Sequence, residues 1–400
     1  MNLTKLRNIL IALVAVLIAA TGFLLYKNGL PELNLGTKRT GDAQTVGPAG
    51  EQTNAEGSTL ISAAEEQLIL QNQEADLLKN RENLRRWPTD PVVADDFSGD
   101  APKLAEFKGR ESGATALSGA VVFLDYGHGG PDAGTVYPTK APHDVLEKNL
   151  NLEIGKRLKE KLEAMGADVV ELRTEDEWLS IYARSALIGE YLVRDALSRL
   201  DSQGASPVVD LLNSYQNHFD VIHDLNRDSG GGDFLGGTGQ SQQVRFLYDL
   251  EKQYENCILV SLHCNYSEQT TEAGGIQLYY LDNQSAFNTA DSKIGRDYID
   301  NPDNKMFPIY QNYDDIGRLR LANLIYDTIV GEIPELTTRN AGSILPYNFA
   351  VLRCSGINSV LVEMGFLSNG ADRELLSSED GQERLSDALA DSVYRYYCEE

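Results

Sequence analysis

Two histidines and two glutamates in this chain are spaced to hold a metal ion and use it. His128 lies in Val121-Val-Phe-Leu-Asp-Tyr-Gly-His-Gly-Gly-Pro-Asp-Ala-Gly134, and His263 in Ile258-Leu-Val-Ser-Leu-His-Cys-Asn265. Each follows a short apolar run, rich in β-branched residues, that reads as a buried parallel strand. Glu363 follows a third such run in Ser359-Val-Leu-Val-Glu-Met-Gly-Phe-Leu-Ser-Asn369, and Glu147 opens an amphipathic stretch after the first strand. Ligands of open α/β sheets bind outside the carboxyl ends of the strands. Three reactive residues at strand ends and one at a helix start therefore converge on one crevice.

A catalytic zinc takes three protein ligands and leaves a fourth position for water. His128, Glu147 and His263 supply a His/Glu/His set. Zinc held there would bring the pKa of water toward about 7 and polarise a carbonyl, while Glu363 moves protons as general base and acid. Asp125 is expected to orient His128, because a metal-bound imidazole usually gives its second N–H to a carboxylate or carbonyl. His143, in a Pro-flanked loop, competes with Glu147 for the third position. His218 and His223 are spaced i, i+5, which is not a helical ligand pair, and there is no HExxH motif. Each residue alone has a plainer reading: a hydrogen-bonded core histidine, or a glutamate beside a helix dipole. Their joint placement at element ends favours metal-assisted hydrolysis.

The elements that must position these residues follow from the hydropathy pattern. Val121–Asp125 reads as a strand. Asn149–Met165 carries Leu150, Ile154, Leu158, Leu162 and Met165 at helical spacing, and Gly166 is a helix stop. Asp168–Leu172 is the next strand, giving a right-handed βαβ unit. Strands follow at Cys257–His263, Gly275–Tyr280 and Ser359–Met364, with helices near Gly317–Val330 and Gln382–Tyr397. The alternation breaks at about 189–256, where helix-like ends flank the glycine-rich Ser229–Gly239. No Lys-Ser/Thr follows those glycines, so they are not a phosphate loop; the segment reads as an insertion or flexible lid.

The chain has 400 residues and a formal net charge of −25. That balance excludes a phosphate-binding face of the nucleic-acid type and a polybasic hold on anionic lipid. Residues 1–27 contain the uncharged run Ile9–Tyr26 between Lys5, Arg7 and Lys27, long enough to cross a bilayer as an anchor. Cleavage of a signal peptide near Ala19-Ala20-Thr21-Gly22 is the alternative. Under either reading Lys5 and Arg7 stay inside and the remainder is exported. Residues 28–118 read as a linker. Near 60–86 a stalk helix is predicted from Ile61, Leu68 and Ala75, with Ala64 and Leu78, and Trp87-Pro88 ends it. The catalytic domain is expected over 119–400. Cys257, Cys264, Cys354 and Cys398 are too few and scattered for a disulfide framework or a CxxC zinc site, which leaves one disulfide open.

Four stretches resemble the zinc-dependent N-acetylmuramoyl-L-alanine amidases of the cell-wall amidase 3 family: Asp125-Tyr-Gly-His-Gly-Gly-Pro-Asp-Ala-Gly134, Glu147-Lys-Asn-Leu-Asn-Leu152, Ser261-Leu-His-Cys-Asn265 and Val362-Glu-Met-Gly-Phe-Leu-Ser-Asn369. Arg173-Thr-Glu-Asp176 through Arg184 is similar to the family's Arg-x-x-Asp…Arg stretch. The resemblance implies an α/β fold with a mostly parallel central sheet and helices on both faces. It also implies one zinc on His128, Glu147 and His263, with Glu363 as catalytic carboxylate. Asp125, Asn265, Arg173 and Arg184 are then expected to support the ligands or bind substrate. The implied reaction is hydrolysis of the amide between N-acetylmuramic acid and the L-alanine of the peptidoglycan stem peptide. It would take place outside the cytoplasmic membrane, in a single-pass or secreted protein. A zinc peptidase or deacylase of similar fold, and a peptidoglycan-binding regulator that does not cut, are the rival readings.

The sequence also departs from the family. Ile188-Gly189 stands where Ala-Asn is usual, directly before the insertion. Some members keep an inhibitory helix over the zinc until an activator protein removes it. Asp282–Tyr313 is the closer positional match to that helix, and 189–256 is a second candidate.

Overall fold

The apolar runs become strands covered on both faces. The computed structural model describes residues 95–399, apart from 201–206, 225, 227–241, 295–309, 311 and 340. In chain order the elements are β1 (Val121–Tyr126), β2 (Val136–Tyr137), β3 (Val145–Leu146), α1 (Glu147–Ala164), β4 (Asp168–Glu171), α2 (Ile181–Leu200), α3 (Pro207–Asp224), α4 (Gln242–Glu251), β5 (Cys257–Asn265), β6 (Gln277–Tyr280), α5 (Asn283–Ile294), α6 (Asp315–Glu332), β7 (Ile344–Pro346), α7 (Ala350–Arg353), β8 (Asn358–Phe366), α8 (Gly370–Ser377) and α9 (Glu379–Cys398). The main sheet runs β4-β1-β5-β8-β6-β7, and β2 and β3 form a separate two-stranded ribbon. Strands β4, β1, β5 and β8 are parallel; β6 is antiparallel to β8 and parallel to β7.

The chain leaves β1 toward β4 on one side and returns to β5 on the other. The β1/β5 boundary is therefore a topological switch point, where the loops part and leave a crevice. His128 follows β1 and His263 lies near the end of β5. The sheet thus opens where the sequence places its histidines.

One sheet face packs against α1, α6 and α9, through residues such as Ile154, Leu158, Ile325, Leu389 and Val393. Full burial of each such side chain contributes roughly 2 kcal/mol. The other face packs against α2, α3 and α4, with Leu192, Val193, Tyr215, Phe219 and Leu247 in a second core. The insertion expected over 189–256 is therefore, in its described parts, a packed helical layer rather than a flexible lid. A Cβ at Gly189 would collide with the Phe219 ring. The small residue at position 189 thus makes room for α3.

Residues 95–118, read from sequence as linker, pack on the domain. Phe97, Phe107 and Leu117 are buried, and Gly109 N donates to Cys398 O at 2.8 Å. A segment with little apolar periodicity is held here by a few large anchors. The anchor expected over 1–27, the stalk helix near 60–86 and the glycine-rich 229–239 lie outside the described residues. Among the described residues no helix is long and apolar enough to cross a membrane. The four cysteines are buried thiols, with no disulfide among them.

Candidate functional site

β1 is buried along its whole length, β5 is buried except at His263 and Asn265 near its carboxyl end, and β8 is buried except at Asn358 and Glu363. His263 on β5 is in register with Glu363 on β8, and Gln277 on β6 is in register with Glu363 from the other side. Register partners on neighbouring strands share a sheet face. His263 and Glu363 therefore project together into the crevice. Gly127 continues β1 beside them, and a Cβ there would collide with the His263 ring.

After Gly127 the backbone turns sharply. His128 adopts φ 65°, followed by Gly129 at 131° and Gly130 at 56°. A left-handed conformation at a non-glycine residue costs on the order of 1 kcal/mol and is held only where surrounding structure enforces it. Here Arg184 Nη2 donates to His128 O at 2.6 Å. A side chain at Gly129 would collide with the Glu177 carbonyl. The turn brings the His128 imidazole over the start of α1.

Glu147 sits at the head of α1, where the helix dipole favours a carboxylate, and is 2% exposed. Its Oε1 lies 3.1 Å from His128 Nε2 and 3.0 Å from His263 Nδ1. Backbone donors fix the carboxylate: Cys264 N to Oε1 at 2.9 Å and Thr135 N to Oε2 at 2.6 Å. One nitrogen from each histidine and one Glu147 oxygen all lie within 4.8 Å of one another. Ligand atoms on a tetrahedral zinc with bonds of about 2.0–2.1 Å lie about 3.3 Å apart, so the donor set and its spacing fit this metal. Burial alone would lower the His128 pKa, but hydrogen bonding to Glu147 and that residue's charge, followed by Asp132, raise it to about 9. Burial would raise Glu147, and the two histidines outweigh it and hold it far below the usual carboxylate range. Negative charge is thus concentrated between two imidazoles, where a cation is favoured.

The residue that orients His128 is not the one expected. His128 Nδ1 lies 2.9 Å from Asp132 Oδ2. Asp125 instead pairs with Arg184 and accepts from Ser261 Oγ at 2.6 Å. Asp125 is taken up by these two partners at the end of β1, whereas Asp132 lies four residues past His128 on the same loop. Asp125 acts on His128 only through Arg184. Arg173 is 1% exposed and donates to Tyr126 O, Lys148 O and Glu175 O at 2.5, 2.8 and 2.7 Å. It ties the end of β1 to the start of α1 and faces no crevice. Asn265 lines the crevice and donates to Gln277 Oε1 at 2.6 Å. His143 lies apart from the cluster, with Nδ1 2.7 Å from Pro138 O, so Glu147 takes the third position. His218 is exposed on α3 and bonded to Ser214 O. Asn151, one turn after Glu147, escaped the sequence reading; its Nδ2 reaches Gly127 O at 3.2 Å. The i+4 spacing from Glu147 was its signal.

Glu363 meets His128 and His263 on the border between two parts of the crevice. Its Oε2 is buried without a hydrogen-bond partner among the described residues. Burial raises the carboxyl, the charge of His263 opposes this, and Glu147 adds to it, leaving the pKa at about 7. A carboxyl poised there can both accept and return a proton at neutral pH. None of the described residues of α3, α4 or α5 lines the crevice. The described parts of both inhibitory candidates therefore stand away from it.

A family model described as N-acetylmuramoyl-L-alanine amidase matches residues 122–197 and 205–395. The chain is 26% identical to the N-acetylmuramoyl-L-alanine amidase AmiC of Neisseria meningitidis serogroup B, over 69% of this chain and 52% of that protein. It is 23% identical to the Bacillus subtilis protein YqiI, over 71% of this chain and 88% of that one. It therefore spans about half the length of the meningococcal relative. Among solved structures, an N-acetylmuramoyl-L-alanine amidase from Clostridium difficile 630 aligns with a TM-score of 0.41 and 24% identity, covering 69% of this chain and 96% of that one. With the match of the family model extending over more than half of the sequence, the chain belongs to the N-acetylmuramoyl-L-alanine amidase family Amidase_3.

Proposed function

We propose that this protein is a zinc-dependent peptidoglycan hydrolase that cleaves the amide between N-acetylmuramic acid and the L-alanine of the stem peptide. The observation that carries the reading is the Glu147 carboxylate between His128 and His263, with Glu363 in register beside His263. Family membership supplies the bond.

His128, Glu147 and His263 would hold the metal. When bound, zinc supplies Lewis acidity that acidifies water and polarises the scissile carbonyl. Glu363 removes a proton from the attacking water and delivers it to the departing alanine nitrogen. Its pKa of about 7 suits both halves of that transfer. Asp132 fixes the tautomer and tilt of His128. Arg184, neutralised by Asp125, clamps the strained turn that carries it. Residues 1–27 would tether the enzyme in the membrane with its catalytic domain outside, confining cleavage to nearby wall. Resistance of the exported protein to alkaline extraction tests the tether, and release by that treatment would refute it.

The test of activity is a digest of purified peptidoglycan by the full chain, with zinc, with chelator, and with Glu363→Gln, read by mass spectrometry. Stem peptides with a new L-alanine amino terminus should appear only with the zinc-loaded native protein. Cuts elsewhere in the peptide would instead identify a peptidase, and loss of acetyl groups a deacylase. Zinc-loaded protein that binds wall and releases nothing would identify a regulator.

A further inference from the structure

The crevice beside Glu363 has an apolar half that the metal chemistry does not use. It is a cavity of about 460 Å³ lined by Trp178, Leu179, Ile181, Phe349, Val351 and Leu361, with Glu363 at its border with the polar half. Trp178 and Ile181 are 36% and 42% exposed, and Tyr347, 54% exposed, stacks on Phe349 with ring centroids 4.5 Å apart. Tyr279 closes the cluster, 5.2 Å from Phe349. Contiguous exposed apolar surface opening onto reactive groups marks a binding face.

From this geometry we infer that the Trp178–Phe349 cleft is the saccharide subsite, seating the N-acetylmuramic acid ring while the stem peptide leaves through the polar half lined by Thr135, Asn265 and Tyr266. The inference rests on the peptidoglycan reading above and adds the orientation of the substrate. Side-chain type decides which end goes where. His128, Asp132, His263 and Glu363 border both halves, whereas Trp178, Leu179, Phe349 and Val351 line only the apolar one. Its one arginine, Arg184, is committed to Asp125 and to the Tyr126 and His128 carbonyls. A stem peptide is rich in amide N–H and C=O groups, which need the polar partners of the other half. The saccharide is neutral once its lactyl group is amidated. It offers a flat C–H face to aromatic rings and hydroxyls to carboxylate acceptors. The lactyl ether is short, so a sugar seated against Trp178 keeps the scissile carbonyl near the histidines.

The chain has two tryptophans, so Trp87→Phe leaves Trp178 as the only tryptophan reporter. The full chain with that change is titrated with the N-acetylglucosamine–N-acetylmuramic acid disaccharide whose lactyl carboxyl is amidated, and separately with the sugar-free, N-acetylated stem tripeptide. The disaccharide should shift Trp178 emission saturably and the tripeptide should not. Phe349→Ala should raise the disaccharide midpoint about tenfold, as expected for loss of one stacking wall. A signal that answers the tripeptide instead, or neither probe, or that ignores Phe349→Ala, overturns the subsite. Binding is read without turnover. A protein that binds the disaccharide but releases no stem peptide from wall refutes the proposed activity and leaves the subsite standing.

Discussion

Replacing Asp132 by alanine should weaken zinc binding while leaving the fold intact, and replacing Asp125 should chiefly destabilise the fold. Asp132 Oδ2 is 2.9 Å from His128 Nδ1 and is the carboxylate that orients the imidazole. Losing such a partner costs about tenfold to hundredfold in metal affinity. The Asp132 side chain is 48% exposed, so water partly replaces it and the lower end applies: about tenfold, or about 1.4 kcal/mol. Asp132→Asn keeps an acceptor but loses the charge and should cost about threefold, since charge-assisted bonds are roughly twice as strong as neutral ones. Asp125→Asn does not touch the imidazole. It removes the charge paired with the buried Arg184, a loss of the kind that costs about 3–5 kcal/mol of stability. The assays are competition for zinc against a chromogenic chelator at constant pH, and denaturant unfolding of the same samples. If Asp132→Ala binds zinc as tightly as the native protein, within about twofold, Asp132 does not set the His128 geometry and the argument fails.

Glu363→Gln should lower turnover by about 10²–10⁴-fold with zinc content unchanged; near-native rates would remove Glu363 from proton transfer. Gly127→Ala should reduce zinc occupancy by pushing the His263 ring aside, and full occupancy at native affinity would refute the close approach. Glu251 is a buried carboxyl outside the site, raised from 4.5 to about 7 by burial, against opposition from the Gly356 N–H, Ser355 and Arg318. Below pH 4.5 both folded and unfolded states hold its proton. Between 4.5 and about 7 only the folded state does, so stability falls across that window, by roughly 3 kcal/mol from this group. Glu251→Gln should flatten that part of the stability–pH curve, and an unchanged slope would show that Glu251 is not its source.

The central strands and the α1 stripe were legible because β1, β5 and β8 are covered on both faces and so must be apolar throughout, with the polar exceptions at their ends. Strand direction at the far edge was not legible. β6 and β7 span Gln277–Tyr280 and Ile344–Pro346, too short for a pattern to reveal that β6 runs against β8. Sequence adjacency misled at Asp125, which is nearer to His128 in the chain than Asp132 but bonds Arg184 and Ser261 instead. Arg173 was legible as a motif residue, but its carbonyl partners on Tyr126, Gly127, Lys148 and Glu175 come from three segments, so its positioning task could not be inferred from the motif. The packing of 95–118 was hidden because single aromatic anchors such as Phe107 leave no period. Trp178 and Phe349 carry no motif at all, and they line one cavity only because the segments leading into α2 and α7 border the same strand ends.

The register that pairs His263 with Glu363 separates two kinds of change open to the protein over evolutionary time. The metal-side and proton-side residues are one inter-strand spacing apart, about 4.8 Å, on strands bonded along their length. A slip of β8 by one residue would turn Glu363 to the opposite face and end activity outright, so this pair cannot drift. The walls at Trp178–Ile181 and Phe349–Val351 come from segments that no ladder holds in register. Change in these two short wall segments can therefore proceed without disturbing the reacting pair, which is inherited with the sheet.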